Sequence, residues 1–148
     1  MSVADVWVAT LAAAFLSGFI PLVNIEAYLL GAAALLPGAP PLVVVVPAAL
    51  GQMAAKGLLF LGGRGLVSLP VRMRERALAA SGRLGSRRPP ALVFTSALTG
   101  LPPFYVVSVA AGMLGFRPGP FLLAGLAGRL LRFGAVFALP GLLAWVIS

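Results

Sequence analysis

Glu26 stands in the middle of GFIPLVNIEAYLLG (residues 18–31), two residues after Asn24 and five after Pro21. It is one of only 3 acidic residues among 148. An ionisable group at membrane depth costs at least about 2.5–3.5 kcal/mol on insertion scales, so its presence there marks a candidate functional site. Pro21 removes a backbone donor and interrupts a helix. Broken backbone persists in a bilayer only where protein buries it or it lines a watery cavity. Two kinds of chemistry are open to Glu26. Its carboxyl can take up and release a proton as access alternates between the two sides of a membrane. It can also form a structural salt bridge to Lys56 or to an arginine, holding its own segment down.

Lys56, Arg129 and Arg132 are the cations inside apolar runs. Gln52 and Lys56 are four apart and share a helix face; Arg129 and Arg132 are three apart and share another. Gly125 and Gly128 clear space beside the two arginines. Guanidinium forks match a phosphate headgroup bidentately, and the competing use is snorkelling to the interface. Tyr105, Ser108 and Thr99 offer hydroxyl donors in the second half, or serve helix packing.

The chain has no Cys and no His. Disulfides, thiol chemistry, imidazole bases and Cys/His metal sites are therefore excluded. Three scattered acids make no carboxylate metal site, and no nucleophile–base pair is present. Neither an enzyme nor a cofactor is expected. The formal charge is +8, but most of it falls in one loop between apolar segments, which fits topology control better than nucleic-acid binding.

Hydrophobic residues make up 61% and charged residues 9%, with a mean hydropathy of +1.08. A soluble domain carries about 25% charge, so the expectation is an all-α integral membrane protein of one domain, residues 1–148. The first charge is Asp5, and no basic segment precedes the apolar run, so the N-terminus does not read as a signal peptide.

The elements that must position these residues follow from proline and glycine punctuation. Val3 to Ile20 and Asn24 to Leu36 read as short helices joined at Pro21, best as a re-entrant hairpin, with two ordinary spans as the alternative. Leu42 to Leu61 is a full span closed by Arg64. Leu66 to Arg88 is basic, with Val71, Leu78 and Leu84 spaced to form the apolar face of a surface-lying amphipathic helix. That segment either fixes topology or forms a specific acidic-lipid site. Ala91 to Thr99 and Phe104 to Leu114 are short runs separated at Pro102 and Pro103. Phe121 to Leu139 is a second span, which Pro140-Gly141 should break before a short apolar tail.

The two halves, about residues 3–64 and 91–148 on either side of a basic linker of about 65–90, follow one plan. Leu16-Ser17-Gly18 matches Thr95-Ser96-Ala97, Pro21 matches Pro102, Gly31 matches Gly112, Pro40 matches Pro118 or Pro120, and the stretch from Gly51 to Lys56 matches that from Gly128 to Arg132. Repeats with proline-interrupted segments in corresponding places point to a transporter with its site at the repeat interface. The arginine loop belongs in the cytoplasm, and Pro37 to Pro41 is then external. The two hairpins dip in from opposite faces, which makes the arrangement an inverted repeat of re-entrant hairpins, each followed by a full transmembrane helix.

Three stretches resemble the VTT-domain superfamily, which includes DedA proteins, SNARE-associated Golgi protein-like members and small YqaA-like bacterial members. They are IPLVNIEAYLLGAAAL, ALGQMAAKGLLFLGGRGL and LTGLPPFYVVSVAAGMLGFRPGPFLLAGLAGR, covering most of the chain from Leu16 to Phe137. The resemblance implies opposed re-entrant hairpins and movement of lipid between leaflets, by a flippase or scramblase, including polyprenyl phosphate in DedA members. Glu26 matches one family acid. Two departures stand out: Thr99 and Tyr105 occupy places where DedA proteins carry arginines, and Gln52 replaces an acid of the first span. Phosphate recognition then falls to Lys56, Arg129 or Arg132. The leading expectation is a lipid transporter of the inner cell membrane, with anionic or phosphate-bearing lipids as partners and a homodimer as a candidate assembly. The alternatives are a proton- or ion-coupled exporter of a small solute, and a non-transporting membrane organiser or assembly factor.

Overall fold

The computed structural model describes residues 2–20, 24–66, 68–84 and 89–147, leaving out the side chains of 82–84. Among the described residues the chain is entirely helical, with no strand: α1 (Val3–Ser17), α2 (Ile25–Leu35), α3 (Pro41–Gly63), α4 (Val71–Leu84), α5 (Pro89–Thr99), α6 (Phe104–Met113) and α7 (Pro118–Ile147). A short helix, a second short helix and a long one occur in that order on each side of α4.

Local chemistry sets most boundaries. Ser2 and Asp5 form a reciprocal capping box that opens α1. The Asn24 side chain caps α2 by accepting from the Ala27 amide at 3.1 Å. Helices α3, α5 and α7 each begin on a proline, whose fixed φ suits the first helical position and whose missing donor has no partner there anyway. This is why α5 and α7 start ahead of the expected Ala91 and Phe121. Helices α3 and α6 end alike. Leu66 N–H reaches the Leu61 carbonyl and Gly65 N–H that of Gly62; Phe116 N–H reaches Ala111 and Gly115 N–H reaches Gly112. These are two Schellman stops, made possible by φ of 83° at Gly65 and 74° at Gly115.

Two expectations need correction. Helix α1 stops at Ser17, where the Gly18 amide caps it, ahead of Pro21; Pro21 itself lies outside the described residues, as do Arg87 and Arg88. Pro140-Gly141 does not break the second span, because α7 runs through Pro140 to Ile147 as α3 runs through Pro47. An apolar helix tolerates proline when local adjustment satisfies the freed carbonyl. Helix α4 forms where the basic amphipathic segment was expected, and its apolar stripe is not packed on protein. Val71 and Leu78 are 69% and 59% exposed, while Ala77 is fully buried where α4 packs on α6. Protein contact covers the side of α4 at Ala77, and Val71 and Leu78 remain on its outer side. The Leu84 side chain is outside the described set.

The chain forms two compact units, one of Met1–Gln52 with Leu130–Ser148 and one of Met53–Arg129. In the first, Gly51 of α3 meets α1 so closely that a Cβ there would overlap the Leu11 carbonyl and Ala14. In the second, Gly128 of α7 meets Phe94, Ala97 and Leu98 of α5 in the same i, i+3, i+4 manner. Small residues of this kind let membrane helices approach to backbone contact. The second unit also brings Gly63 of α3 against the Val109 carbonyl and Gly112 of α6 against the Phe60 carbonyl. Its aromatic centre stacks Phe60 on Phe121 at 4.7 Å between centroids, with Phe104 at 6.2 Å from Phe121.

At 1.5 Å per residue, α3 with 23 residues and α7 with 30 extend about 35 and 45 Å, enough to cross a hydrocarbon core of about 30 Å. The most apolar 18-residue stretch of α7 is only 6% buried. An apolar helix that buries so little against protein is not the core helix of a water-soluble domain.

Candidate functional site

Glu26 lies in the first turn of α2, where the helix dipole favours a negative charge. Its Oε1 accepts a hydrogen bond from Arg132 Nε of α7 at 2.8 Å, and both side chains are 30% exposed. The carboxylate is therefore held in an ion pair, the arginine alternative among its possible partners. Other polar groups of the first unit are paired locally. Gln52 Nε2 donates to the Ser17 hydroxyl at 2.6 Å, and Ser17 donates onward to the Ala14 carbonyl at 2.7 Å. The Thr10 and Tyr28 hydroxyls share a hydrogen bond of 2.8 Å that ties α1 to α2. Asn24 is engaged as the α2 cap. Beside Tyr28 an apolar cleft of about 430 Å³ is lined by Val6, Gly31, Ala32, Leu35 and Leu36.

The second unit holds the other two cations. Lys56 of α3 and Arg129 of α7 are 6% and 8% exposed, and they lie within Coulombic reach of one another. The Arg129 guanidinium carbon sits 4.8 Å from the centroid of the Phe104 ring, a cation–π geometry that places the charge beside the break at Pro102 and Pro103. Hydroxyls near that break serve the backbone. Ser96 donates to the Pro102 carbonyl, Thr99 to Thr95, and Ser108 to Phe104. Tyr105 faces outward, where its hydroxyl accepts from Arg76 Nη1 of α4 at 2.6 Å.

Glu26 thus pairs with Arg132 in one unit, and Lys56 and Arg129 are both buried in the other. Gln52 and Lys56 share a face of α3 but fall to different units. Thr10, Ser17 and Tyr28 escaped sequence reasoning. Each is a single hydroxyl in a strongly apolar run, and only its wrong polarity for that run marked it.

Fold and site together define a helical protein with two helices long and apolar enough to span a bilayer, carrying buried cations and a partly exposed ion pair. Comparison with family models, curated proteins and solved structures finds no match to this chain.

Proposed function

We propose that the chain is a multi-pass membrane lipid transporter, a flippase or scramblase that carries phosphate-bearing lipid between leaflets. The observation that carries this reading is the burial of Lys56 and Arg129 together in one unit, with Phe104 under the guanidinium. Two cations buried within one unit concentrate positive charge at one place; a lipid phosphate is the anion a membrane offers to such a place, and an arginine fork binds it bidentately. The apolar cleft beside Tyr28 is of a kind that accepts hydrocarbon.

The accompanying architecture is an inverted repeat of re-entrant hairpins, α1–α2 and α5–α6. Its support is threefold. The four short helices contain 15, 11, 11 and 10 residues, each shorter than a bilayer core. The paired glycines Gly51 and Gly128 pack alike on the first arm of each hairpin. Arg64 at the end of α3 donates to the Phe116 carbonyl at the end of α6, which fits a second hairpin entering from the side where α3 finishes. The basic segment around α4 then faces the cytoplasm of an inner-membrane protein.

One observation favours a second reading. The Glu26–Arg132 pair is accessible enough for a proton to reach it, as a proton-coupled exporter of a small solute requires. Reconstituted liposomes separate the two. The lipid transporter exchanges labelled phospholipid or polyprenyl phosphate between leaflets without solute flux, and Lys56→Gln and Arg129→Gln each lower that exchange at least tenfold. Proton-linked solute flux without lipid exchange favours the exporter. A folded chain that does neither is a membrane organiser.

A further inference from the structure

Helix α4 carries an outer flank that the buried cation pair does not account for. Arg72, Glu75, Arg76 and Ala79 fall at i, i+3, i+4 and i+7, so they share one stripe, and all four are exposed. Val71 and Leu78, seven apart, form an exposed apolar stripe beside it. The flank is not simply a packing surface turned outward, because the docked side of α4 is elsewhere, at Ala77, and Arg74 is committed to the Gly62 carbonyl at 3.1 Å. Arg76 spends one of its five donors on the Tyr105 hydroxyl. Among the described residues Glu75 makes no ion pair, so two guanidinium groups face one carboxylate and the flank is net positive.

We propose that this flank binds the headgroup of an anionic, phosphate-bearing lipid, with Val71 and Leu78 against its acyl chains and Arg76 holding the phosphate beside Tyr105. The proposal rests on the membrane reading above and adds a second, outer lipid site to it. Charge and apolarity together select the occupant. A guanidinium fork matches phosphate, and basic residues at a leaflet surface draw anionic lipids. A soluble polyanion would satisfy Arg72 and Arg76 but leave Val71 and Leu78 in water. A zwitterionic lipid brings an ammonium group that the arginines repel. Because Tyr105 is the second residue of α6, a headgroup held by Arg76 lies beside the break at Pro102 and Pro103.

The test uses the full chain, which has no native cysteine. Ala79→Cys carries a fluorophore, and the protein is reconstituted in phosphatidylcholine vesicles containing an equal fraction of nitroxide-labelled phosphatidylglycerol or nitroxide-labelled phosphatidylcholine. Labelled phosphatidylglycerol is expected to quench more strongly. Arg72→Gln and Arg76→Gln are expected each to reduce the relative affinity about fivefold, the ratio that one basic residue near a leaflet contributes, and Glu75→Gln to raise it. Arg72 is exposed and makes no hydrogen bond among the described residues, so its substitution leaves the fold alone. Equal quenching by the two lipids overturns the proposal. So does a preference that survives both arginine substitutions, or one lost in Lys56→Gln and kept in Arg76→Gln, which would move the anion to the buried pair. Quenching is read without lipid movement, so a chain that exchanges nothing between leaflets still tests this flank.

Discussion

Charge exchange across the Glu26–Arg132 pair separates a structural tie from a proton carrier. With both side chains 30% exposed, the pair resembles a surface bridge more than a buried one, and about 1 kcal/mol is a fair value for it. Glu26 also gains about 0.5 kcal/mol from its place in the first turn of α2. Glu26→Gln should then destabilise by about 1.5 kcal/mol, and Arg132→Gln by about 1 kcal/mol. The double substitution should cost about 1 kcal/mol less than the sum of the singles, since the pair can be lost only once. Exchanging the residues, Glu26→Arg with Arg132→Glu, restores the pair but sets a cation at a helix N-terminus. Its net cost should be about 1 kcal/mol, below that of Glu26→Gln. Denaturant-driven unfolding in mixed micelles gives the four stabilities, and leaflet exchange gives the activities. If the pair is a tie, the exchanged protein keeps most of its activity. If Glu26 carries protons, the exchange abolishes transport however stable the protein is. Strict additivity of the two glutamine variants would refute the ion pair itself.

Two further outcomes are expected. Gly112→Ala should destabilise by about 1–2 kcal/mol, because its Cβ would meet the Phe60 carbonyl, a backbone atom that cannot swing aside, and overpacking outweighs the helix-propensity gain of about 1 kcal/mol. Gly31→Ala, with nothing within 4 Å, should be neutral or stabilising; equal stabilities for the two variants would show that α3 and α6 do not touch at this point. Single cysteines at Ser81 and Gly38 should be labelled by impermeant reagent from the cytoplasmic and external faces respectively, and external labelling at Ser81 would reverse the orientation.

The helices were legible where the chain punctuates itself. Pro37-Gly38, Pro89-Pro90 and the segment from Gly100 to Pro103 remove donors or supply positive φ, and such local facts need no knowledge of the rest of the fold. The differences lie where a local rule about proline does not decide the helix end. Pro140 carries the same local penalty as Pro47, and both sit inside continuous helices. Treating one as a break and the other as neutral gave too much weight to the glycine that follows Pro140. For α4, periodicity placed Val71, Leu78 and Leu84 on one stripe. That stripe is exposed at Val71 and Leu78, and what periodicity leaves open is the packed side, where Ala77 is buried and α4 meets α6.

The candidate site was legible in its residues and not in its pairings, for a physical reason. Glu26, Lys56, Arg129 and Arg132 stood out because each carries a charge at a cost that an apolar run does not offset, and that cost is a property of the local sequence. Which charges meet is a property of the fold. Glu26 and Arg132 are 106 residues apart, and no periodicity spans that distance. One turn of α7 separates Arg129 from Arg132, so sequence reasoning treated them as a single cationic pair. Their surroundings differ all the same. Arg132 donates to a carboxylate and stays partly accessible, whereas Arg129 is buried against Phe104 and near another cation. An arginine whose charge is already met by Glu26 is a poor first choice for capturing a phosphate. Hence the three cations stand in two different surroundings, Arg132 in an ion pair with Glu26 and Lys56 with Arg129 buried in the other unit. On the lipid-transporter proposal, loss of Lys56 or Arg129 should lower leaflet exchange of phosphate-bearing lipid while the lipid preference of the α4 flank persists, and loss of Arg132 should release α2.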